Sequence, residues 1–454
     1  MSNQNITENN HLLSKTCSIL LTVIFFILSF LTGFNNIAIF VLGILTLGIT
    51  ILLSYKSLKG ISIYTLGIIL IPLLSYGVIM SLSYFSGSLY SLTTRIFLTF
   101  NILLFVIAGY FSRKIEGFSF KWIFIGIFLS LSIISLINVI FTSVYYGPFY
   151  GFRLTNYYSY YDGVSSRFNV GSSAYALCGF AVKEVPIEYY LLYPFLLLTS
   201  IPFYLLSDRG NKFNIITSCC FVLVALISLF FVISKISLIY ILVYLVFICL
   251  VSLIIVYRKL YGKPLRYTLY GLGILVFIFG FLLFLNAQLS LTGIRNLFAS
   301  NRLFNYLFNT NRFSENALIL LNGVFSKEKM IGFPVYFDYQ YGNWCLPTNN
   351  ILINQFMYGG IFGFIFFLVI IGLFVYLFIK LRKVSLEDKN YKYFPILFVI
   401  AYFVTTMIID QNSYDHFDYG LVFANFLSPF FYISLFVFGH YYSLISMEEV
   451  KNEA

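Results

Sequence analysis

The chain has 454 residues, of which 60% are hydrophobic and only 10% are charged, and its formal net charge is +11. A water-soluble domain normally carries about 25% charged residues, so this composition excludes an ordinary soluble fold. A basic chain first suggests nucleic acid, but most of the excess lies in short loops between apolar segments, where Lys and Arg hold a loop in the cytoplasm. No nucleic-acid partner is expected.

Apolar segments of about 20 residues, the length of helix that crosses about 30 Å of hydrocarbon, recur along the chain. Because backbone groups in lipid must be hydrogen-bonded within their segment, we expect an all-α polytopic membrane protein with about twelve transmembrane helices, in a single integral membrane domain over 1–454. The first segment is interpreted as a retained helix, since no basic cluster precedes it. The predicted spans are 16–33, 36–54, 61–82, 95–111, 122–143, 189–207, 215–233, 236–257, 267–286, 349–379, 393–410 and 419–440.

The distribution of basic residues supports these spans. With the N-terminus inside, the short opposite turns at 33–35, 83–94 and 411–418 hold no Lys or Arg. This is the positive-inside pattern, and it predicts that both termini are cytoplasmic. The predicted cytoplasmic loops hold Lys56, Lys59, Arg113, Lys114, Lys121, Arg209, Lys212, Arg258, Lys259, Lys263, Arg266, Lys380, Arg382, Lys383, Lys389 and Lys392.

Two long polar loops, 144–188 and 287–347, interrupt the apolar chain, and the predicted topology puts both on the extracytoplasmic side. Both are rich in Tyr, Asn and Ser, and both carry arginines. A chain so apolar has little need of such loops for stability, so we expect them to serve function. Paired basic loops suit a membrane-anchored anionic substrate. The candidate basic residues on this side are Arg153, Arg167, Arg295, Arg302 and Arg312, together with Lys235 in the short outer turn 233–237.

The apolar residues of 312–325 recur at helical spacing and predict a short amphipathic helix on the outer membrane surface. Arg312 stands at its N-terminal end, where a planar guanidinium and free backbone N–H groups together suit a phosphate group. The alternative is that these cations only contact lipid headgroups or pair with Glu315 and Glu328.

Other features leave alternatives open. Cys178 and Cys345, one in each long loop, are able to pair outside the cytoplasm. The turn 410–418 groups acidic residues with His416, which suits a general base or a divalent cation, but a solvated turn explains it as well. His440 is expected to be an ordinary surface residue. The sequence carries no metal or cofactor motif, so neither is expected.

After the second loop come Asn349 and Asn350, nine residues, and then Gly360-Ile-Phe-Gly363 at the start of a long span. In this the chain resembles the O-antigen polymerase and ligase superfamily of bacterial envelopes, whose large outer loop ends in His-Asn or a similar pair, nine residues and Gly-x-x-Gly. The segments around Arg312, Arg167 and Lys235 are similar to that family's arginine helix, arginine–glycine segment and Ser-Arg-Ser turn. A lone Gly-x-x-Gly in a membrane helix usually reflects close helix packing.

The resemblance implies a membrane glycosyltransferase of the bacterial inner membrane. It would polymerise undecaprenyl-pyrophosphate-linked oligosaccharide repeat units of O-antigen or capsule at the outer face. Its partners would be the lipid-linked glycan donor and acceptor, membrane lipids, a chain-length regulator and a flippase. The expected catalytic residues are Arg312, Arg167 and Lys235, and the expected substrate-binding residues are Arg153, Arg295, Arg302, Asn349, Asn350 and Tyr336.

Two alternative functions remain. One is a ligase that transfers finished glycan to the lipid A core, but Asn349 stands where ligases carry histidine. The other is a non-enzymatic flippase of the lipid-linked unit, although such carriers tend to bury charge in a central cavity and to have short loops. The sequence does not identify a general base for the polymerase; Glu315, Asp338 and His416 are candidates.

Overall fold

A computed structural model describes residues 16, 19–30, 36–55, 63–82, 92–115, 118–146, 175–177, 184–186, 192–200, 212–231, 337–338, 343–344, 351–383, 394–408 and 429–453. The helices within these ranges are α1 (Ile19–Phe30), α2 (Asn36–Ser54), α3 (Ile63–Leu82), α4 (Leu92–Ser112), α5 (Phe120–Tyr146), α6 (Leu192–Leu198), α7 (Lys212–Phe231), α8 (Ile351–Lys383), α9 (Phe394–Ile408) and α10 (Pro429–Glu453).

The described residues of each long loop form a small antiparallel pair of strands. The first pairs β1 (Tyr175–Leu177) with β2 (Glu184–Pro186), and the second pairs β3 (Phe337–Asp338) with β4 (Asn343–Trp344). The β1 strand packs against α5, so it ties part of the first loop to the helical bundle.

Among the described residues, two helices contain stretches long and apolar enough to cross a membrane, Phe120–Ile137 in α5 and Gly359–Leu381 in α8, and shorter apolar helices accompany them. Two helices follow the predicted spans closely: α2 covers the predicted 36–54, and α3 lies within the predicted 61–82. Predicted spans 236–257 and 267–286, and the predicted amphipathic helix 312–325, lie outside the described residues, so the number of spans stays a prediction.

Four of the helices form a ring in which α3 packs on α4, α4 on α10, α10 on α8, and α8 back on α3. Aromatic side chains from these four helices pack against one another. The ring centre of Phe367 of α8 lies 5.9 Å from that of Tyr76 of α3 and 6.4 Å from that of Phe431 of α10. On the α4 side, Phe105 lies 5.5 Å from Tyr432 of α10. Outside the ring, α2 packs on α4, while α5, α6 and α7 pack on one another and α9 joins them to the ring by contacting α6, α8 and α10.

The contact between α4 and α10 is a backbone-to-backbone contact through glycine. A Cβ atom added at Gly109 would overlap the carbonyl oxygen of Phe436 and lie 2.8 Å from its carbonyl carbon. A Cβ atom added at Gly439 would overlap the carbonyl oxygen of Val106 and lie 2.9 Å from the backbone nitrogen of Tyr110. Since neither main chain can swing away as a side chain can, only glycine allows this approach.

A buried hydrogen bond lies beside the glycine contact. The Ser112 hydroxyl is 2.6 Å from the Gly109 carbonyl oxygen, to which it donates, and 2.8 Å from Nδ1 of His440. Because the hydroxyl proton is used on Gly109, His440 must donate its Nδ1–H to Ser112. The rings of Phe118 and Phe120 lie 4.9 Å and 4.7 Å from the imidazole. The expectation that His440 is a surface residue is therefore wrong, since it is only 8% exposed.

The outside of the bundle is as apolar as its inside. Leu52, Leu82 and Ile71 are 72%, 69% and 66% exposed, and exposed aliphatic residues recur along α1, α2, α3, α7 and α8. The interior hydroxyls commonly bond to their own helices, as Thr46 does to the Leu42 carbonyl oxygen. Helices that are apolar on all sides are typical of a lipid environment rather than of water.

Replacing Gly109 or Gly439 with alanine should lower stability, because the methyl group would meet backbone atoms. Overpacking of this kind costs about 1–3 kcal/mol. The matched controls are Gly48→Ala and Gly372→Ala, whose added Cβ atoms would meet nothing within 4 Å. Helix propensity predicts that these controls are neutral or up to about 1 kcal/mol more stable.

The measurement is the unfolding temperature of the full chain in detergent. It is monitored as the loss of the monodisperse size-exclusion peak after heating. Equal unfolding temperatures for Gly109→Ala and Gly372→Ala would contradict the backbone contact between α4 and α10.

Candidate functional site at the bend in α8

Basic residues gather at one end of the bundle. Arg113 and Lys114 follow α4, Lys121 lies in the first turn of α5, and Lys380 lies near the end of α8. These termini lie together: Phe118 and Phe120 contact His440 of α10, and Phe374 of α8 lies 4.9 Å from Phe438 of α10. We call this the basic end.

Two lysines at the basic end lie close to aromatic rings. The Nζ atom of Lys121 is 6.0 Å from the ring centre of Trp122, and Nζ of Lys380 is 5.5 Å from that of Tyr376. Trp122 and Tyr376 are themselves exposed. Exposed Trp and Tyr beside Lys are typical of the boundary between hydrocarbon and water.

The opposite end of the ring contains a break in α8. Gly360 has φ 62° and ψ −157°, a combination that is essentially restricted to glycine. The break divides α8 into a first arm, 351–359, and a second arm, 361–383. Gly360 lies about 30 Å from Lys380 along the second arm, because a helix rises 1.5 Å per residue.

The first arm folds back along the start of the second. In a continuous helix, residues eight positions apart are about 12 Å apart along the axis. Here the ring centres of Phe356 and Phe364 are only 6.2 Å apart. The carbonyl oxygen of Gln355 also lies 3.4 Å from where a Cβ atom of Gly363 would be. The break is therefore a sharp bend, and we call it the α8 bend.

A buried polar pair holds the first arm against α3. Tyr76 donates its hydroxyl to Oε1 of Gln355 over 2.5 Å, and both side chains are fully buried. Beside this pair, an added Cβ at Gly359 would lie 2.8 Å from Sδ of Met80, so the small residues of the bend allow close approach to α3. This close contact is made by Gly359, which precedes the Gly-x-x-Gly motif, whereas an added Cβ at Gly363 would lie 3.4 Å from its nearest neighbours. Within the motif, Gly360 requires glycine for its conformation.

The α8 bend leaves hydrogen-bond donors in an apolar interior. Nε2 of Gln355 has no hydrogen-bond partner among the described residues. The first N–H groups of the second arm also lose their partners within the helix, as at any helix start. A buried donor without a partner costs about 1–3 kcal/mol, so this arrangement favours a group that accepts hydrogen bonds. The positive end of the second arm's dipole favours an anion at the same place.

The predicted site residues nearest to the described elements in the chain lie just outside the described residues. Asn350 directly precedes the first arm, and Tyr336 directly precedes β3 in the chain. Asp338, a candidate base, belongs to β3. The predicted residues that lie outside the described residues are Arg312, Arg167, Lys235, Arg153, Arg295, Arg302, Asn349, Asn350 and Tyr336, together with Glu315, His416, Cys178 and Cys345.

Sequence reasoning missed Gln355, Tyr76 and Arg95. Gln355 is an amide in an apolar run six residues after Asn349, which is the signal that marks it. Arg95 was missed because the predicted span began at 95, which left the preceding turn without a basic residue. The helix α4 begins at Leu92, so Arg95 lies in its first turn, at the end of α4 opposite Arg113. The end of α4 opposite Arg113 therefore also carries a basic residue.

The α8 bend predicts that two residues eight positions apart in the chain can be cross-linked. In a cysteine-free background, the pair Phe356→Cys and Phe364→Cys should be joined by a short bifunctional maleimide, because the two positions face each other across the bend. The control pair Phe366→Cys and Phe374→Cys has the same spacing within the continuous second arm and should not react. Mass spectrometry of tryptic peptides gives the yield.

Adding Gly360→Ala to the first pair should lower its cross-linking yield, since alanine at this φ and ψ is strained by about 1–3 kcal/mol. Equal yields for the two cysteine pairs would show that α8 is straight.

No protein-family model, curated protein or solved structure gives a significant match to the chain. Function is therefore inferred from the residues, the geometry of the α8 bend and the motif resemblance.

Proposed function

We propose that the chain is an integral membrane protein whose basic end faces the cytoplasm and whose α8 bend lies at the outer membrane surface. The apolar exterior of the bundle supports contact with lipid. The distance of about 30 Å between Gly360 and Lys380 along the second arm equals the hydrocarbon thickness. Lysine and arginine at one end support the orientation by the positive-inside rule.

Within this membrane protein, the proposed activity is that of an O-antigen-type polymerase. It joins undecaprenyl-pyrophosphate-linked oligosaccharide repeat units at the outer face of the bacterial inner membrane. The observation that carries this proposal is the bend, which falls within the motif of Asn349, Asn350, nine residues and Gly360-x-x-Gly363. The bend gives Gly360 of the motif a physical reason, and it brings the chain after the second loop against α3.

The proposed reaction is a glycosyl transfer. A hydroxyl oxygen of the acceptor sugar bonds to the anomeric carbon of the growing glycan, the bond from that carbon to the diphosphate oxygen breaks, and the electron pair leaves with the diphosphate. The proton of the hydroxyl passes to a base. Negative charge grows on the leaving diphosphate, so fixed cations beside it stabilise the transition state.

The proposed cations are Arg312, Arg167 and Lys235, with Arg153, Arg295 and Arg302 binding the substrate. Asn349, Asn350 and Tyr336 would contact the glycan or the diphosphate by hydrogen bonds. A guanidinium presents a planar pair of donors to two phosphate oxygens, which lysine cannot do. Charge compensation by these residues requires no metal.

The alternatives are less well supported. A ligase lacks its histidine at Asn349. A flippase would be expected to bury charged groups among its helices, whereas the buried polar side chains of the described residues are Ser, Thr, Asn, Gln and His, with no Asp, Glu, Lys or Arg. The long outer loops also favour an enzyme over a carrier.

Replacing Arg312 with alanine should abolish long-chain glycan while lipid A capped with a single repeat persists, because the leaving diphosphate loses its charge compensation. A loss of one such contact typically costs about 10²–10³ in rate. The matched control is Arg113→Ala at the basic end, which should leave the polymer unchanged. The readout is the ladder of glycan lengths on a gel, with protein abundance measured in the same membranes. Normal long-chain glycan from a well-expressed Arg312→Ala protein would contradict the assignment.

A deletion strain separates the candidate functions. Single repeats without polymer are expected of a polymerase. Full-length polymer left on its lipid carrier would instead indicate a ligase, and the loss of all surface repeats would indicate a flippase.

A further inference from the structure

The described contacts that hold the first arm of α8 differ in how precisely they fix it. The ring centres of Phe356 and Phe364 lie 6.2 Å apart, and aromatic pairs at such distances accept several relative orientations. The contact of Gly359 with α3 sets how closely the arm approaches, but not its rotation. The hydrogen bond from Tyr76 to Oε1 of Gln355 is directional, because such a bond weakens steeply when its angle changes. This bond therefore fixes the rotation of the arm about its own axis.

Stability alone does not explain why this pair is polar. Both side chains are fully buried, and Nε2 of Gln355 has no hydrogen-bond partner among the described residues. Replacing both partners of a buried hydrogen bond with apolar groups of the same shape is close to neutral for stability. A phenylalanine and a leucine would thus fill the same space without a polar group to satisfy. What the polar pair adds is a single preferred orientation of the arm.

The arm that this pair orients begins directly after the asparagine pair of the motif. Gln355 follows Ile351, the first residue of the arm, by four positions, which is about one helical turn and about 6 Å along the axis. Asn350 is the residue before Ile351 in the chain. Consecutive Cα atoms are about 3.8 Å apart, so the position of Ile351 restricts where Asn350 can lie. The rotation of the arm therefore limits the positions open to the asparagine pair.

We infer that Tyr76 is a positioning residue, which holds Gln355 and thereby keeps the first arm of α8 in the rotation that presents Asn349 and Asn350 to the lipid-linked glycan. The inference rests on the proposed function, in which this asparagine pair contacts the substrate. Tyr76 acts through the arm and is not assigned a contact with the substrate. A misplacement of about 1 Å, caused far from the reacting atoms, is able to reduce a rate by roughly 10²-fold.

The test separates orientation from stability with three variants of the full chain. Tyr76→Phe and Gln355→Leu should each lower the unfolding temperature in detergent, because each leaves the other residue without their shared hydrogen bond. The double variant Tyr76→Phe/Gln355→Leu should unfold near the wild-type temperature, since both polar groups are gone. Its amount of glycan longer than one repeat, measured on a gel per unit of protein, should nonetheless fall by about tenfold or more. A purely structural pair would instead regain activity together with stability.

A second measurement reports the orientation of the arm without any substrate. In the cysteine-free protein that carries Phe356→Cys and Phe364→Cys, adding the double variant should lower the yield of the maleimide cross-link several-fold, because the arm loses the bond that fixes its rotation. The matched control is Tyr432→Phe, since Tyr432 is also a fully buried tyrosine of the same ring of helices. This control should leave both the cross-linking yield and the glycan lengths unchanged.

Wild-type amounts of long-chain glycan from the double variant would overturn the inference, and so would an equal loss in Tyr432→Phe. Where the double variant does not yield folded protein, Tyr76→Phe carries the test alone. Its loss of long-chain glycan should then exceed that of Gly109→Ala, which lowers stability at the contact between α4 and α10. Equal losses in these two variants would show that Tyr76 contributes only stability.

The two proposals fail separately. A deletion strain that keeps its long-chain glycan refutes the polymerase, whereas a lower cross-linking yield in the double variant still shows that the pair orients the arm. A double variant with normal cross-linking and normal glycan, in a strain where Arg312→Ala abolishes polymer, refutes the positioning role and leaves the polymerase intact.

Discussion

The close approach of α4 and α10 is the constraint on which the described bundle depends. Gly109 and Gly439 let the two main chains touch, and the bond between Ser112 and His440 fixes their relative rotation beside that contact. Since α2 and α3 pack on α4, and α8 packs on both α3 and α10, the position of every helix in the ring follows from this one crossing. In an apolar solvent no hydrophobic force drives such association, so close packing between small residues must supply it.

The α8 bend is the second feature of the fold that depends on glycine. Gly360 takes a conformation that places the first arm beside the second, and Gln355 is thereby drawn into the core next to Tyr76. Burying an amide costs free energy, and the described contacts satisfy only part of its hydrogen-bonding capacity. The amide lies beside the Gly360 break, at the end of the bundle opposite Lys121 and Lys380, and this combination makes the bend a candidate for function as well as for packing.

Hydropathy was sufficient to predict most of the described helices, because a membrane-length apolar run has few other conformations. It was insufficient at helix boundaries, because hydropathy marks only the apolar part of a helix. The helix α10 continues through polar residues to Glu453, past the predicted end at 440. Hydropathy also missed the α8 bend, since both arms are apolar and only the adjacent glycines mark the break. The small hairpins were missed because strands of two and three residues carry no periodic signal.

The candidate site was harder to predict than the fold. The motif of Asn349 and Gly360 marks the segment that bends, but no sequence signal marks Tyr76, because it is brought to Gln355 from 279 positions away in the chain. Arg95 was missed for a simpler reason: the predicted span began at this residue, so it was not counted with the preceding turn, whereas in the structure it lies in the first turn of α4, which begins at Leu92.

The central claim is that the bend end and the basic end lie on opposite sides of a membrane, and cysteine accessibility tests it most directly. Leu82 at the end of α3 and Trp122 at the start of α5 are both exposed, at 69% and 52%. With single cysteines at these positions in a cysteine-free chain, an impermeant maleimide should label Leu82→Cys in intact spheroplasts and Trp122→Cys only after permeabilisation. Labelling of both positions from the same side would contradict the account.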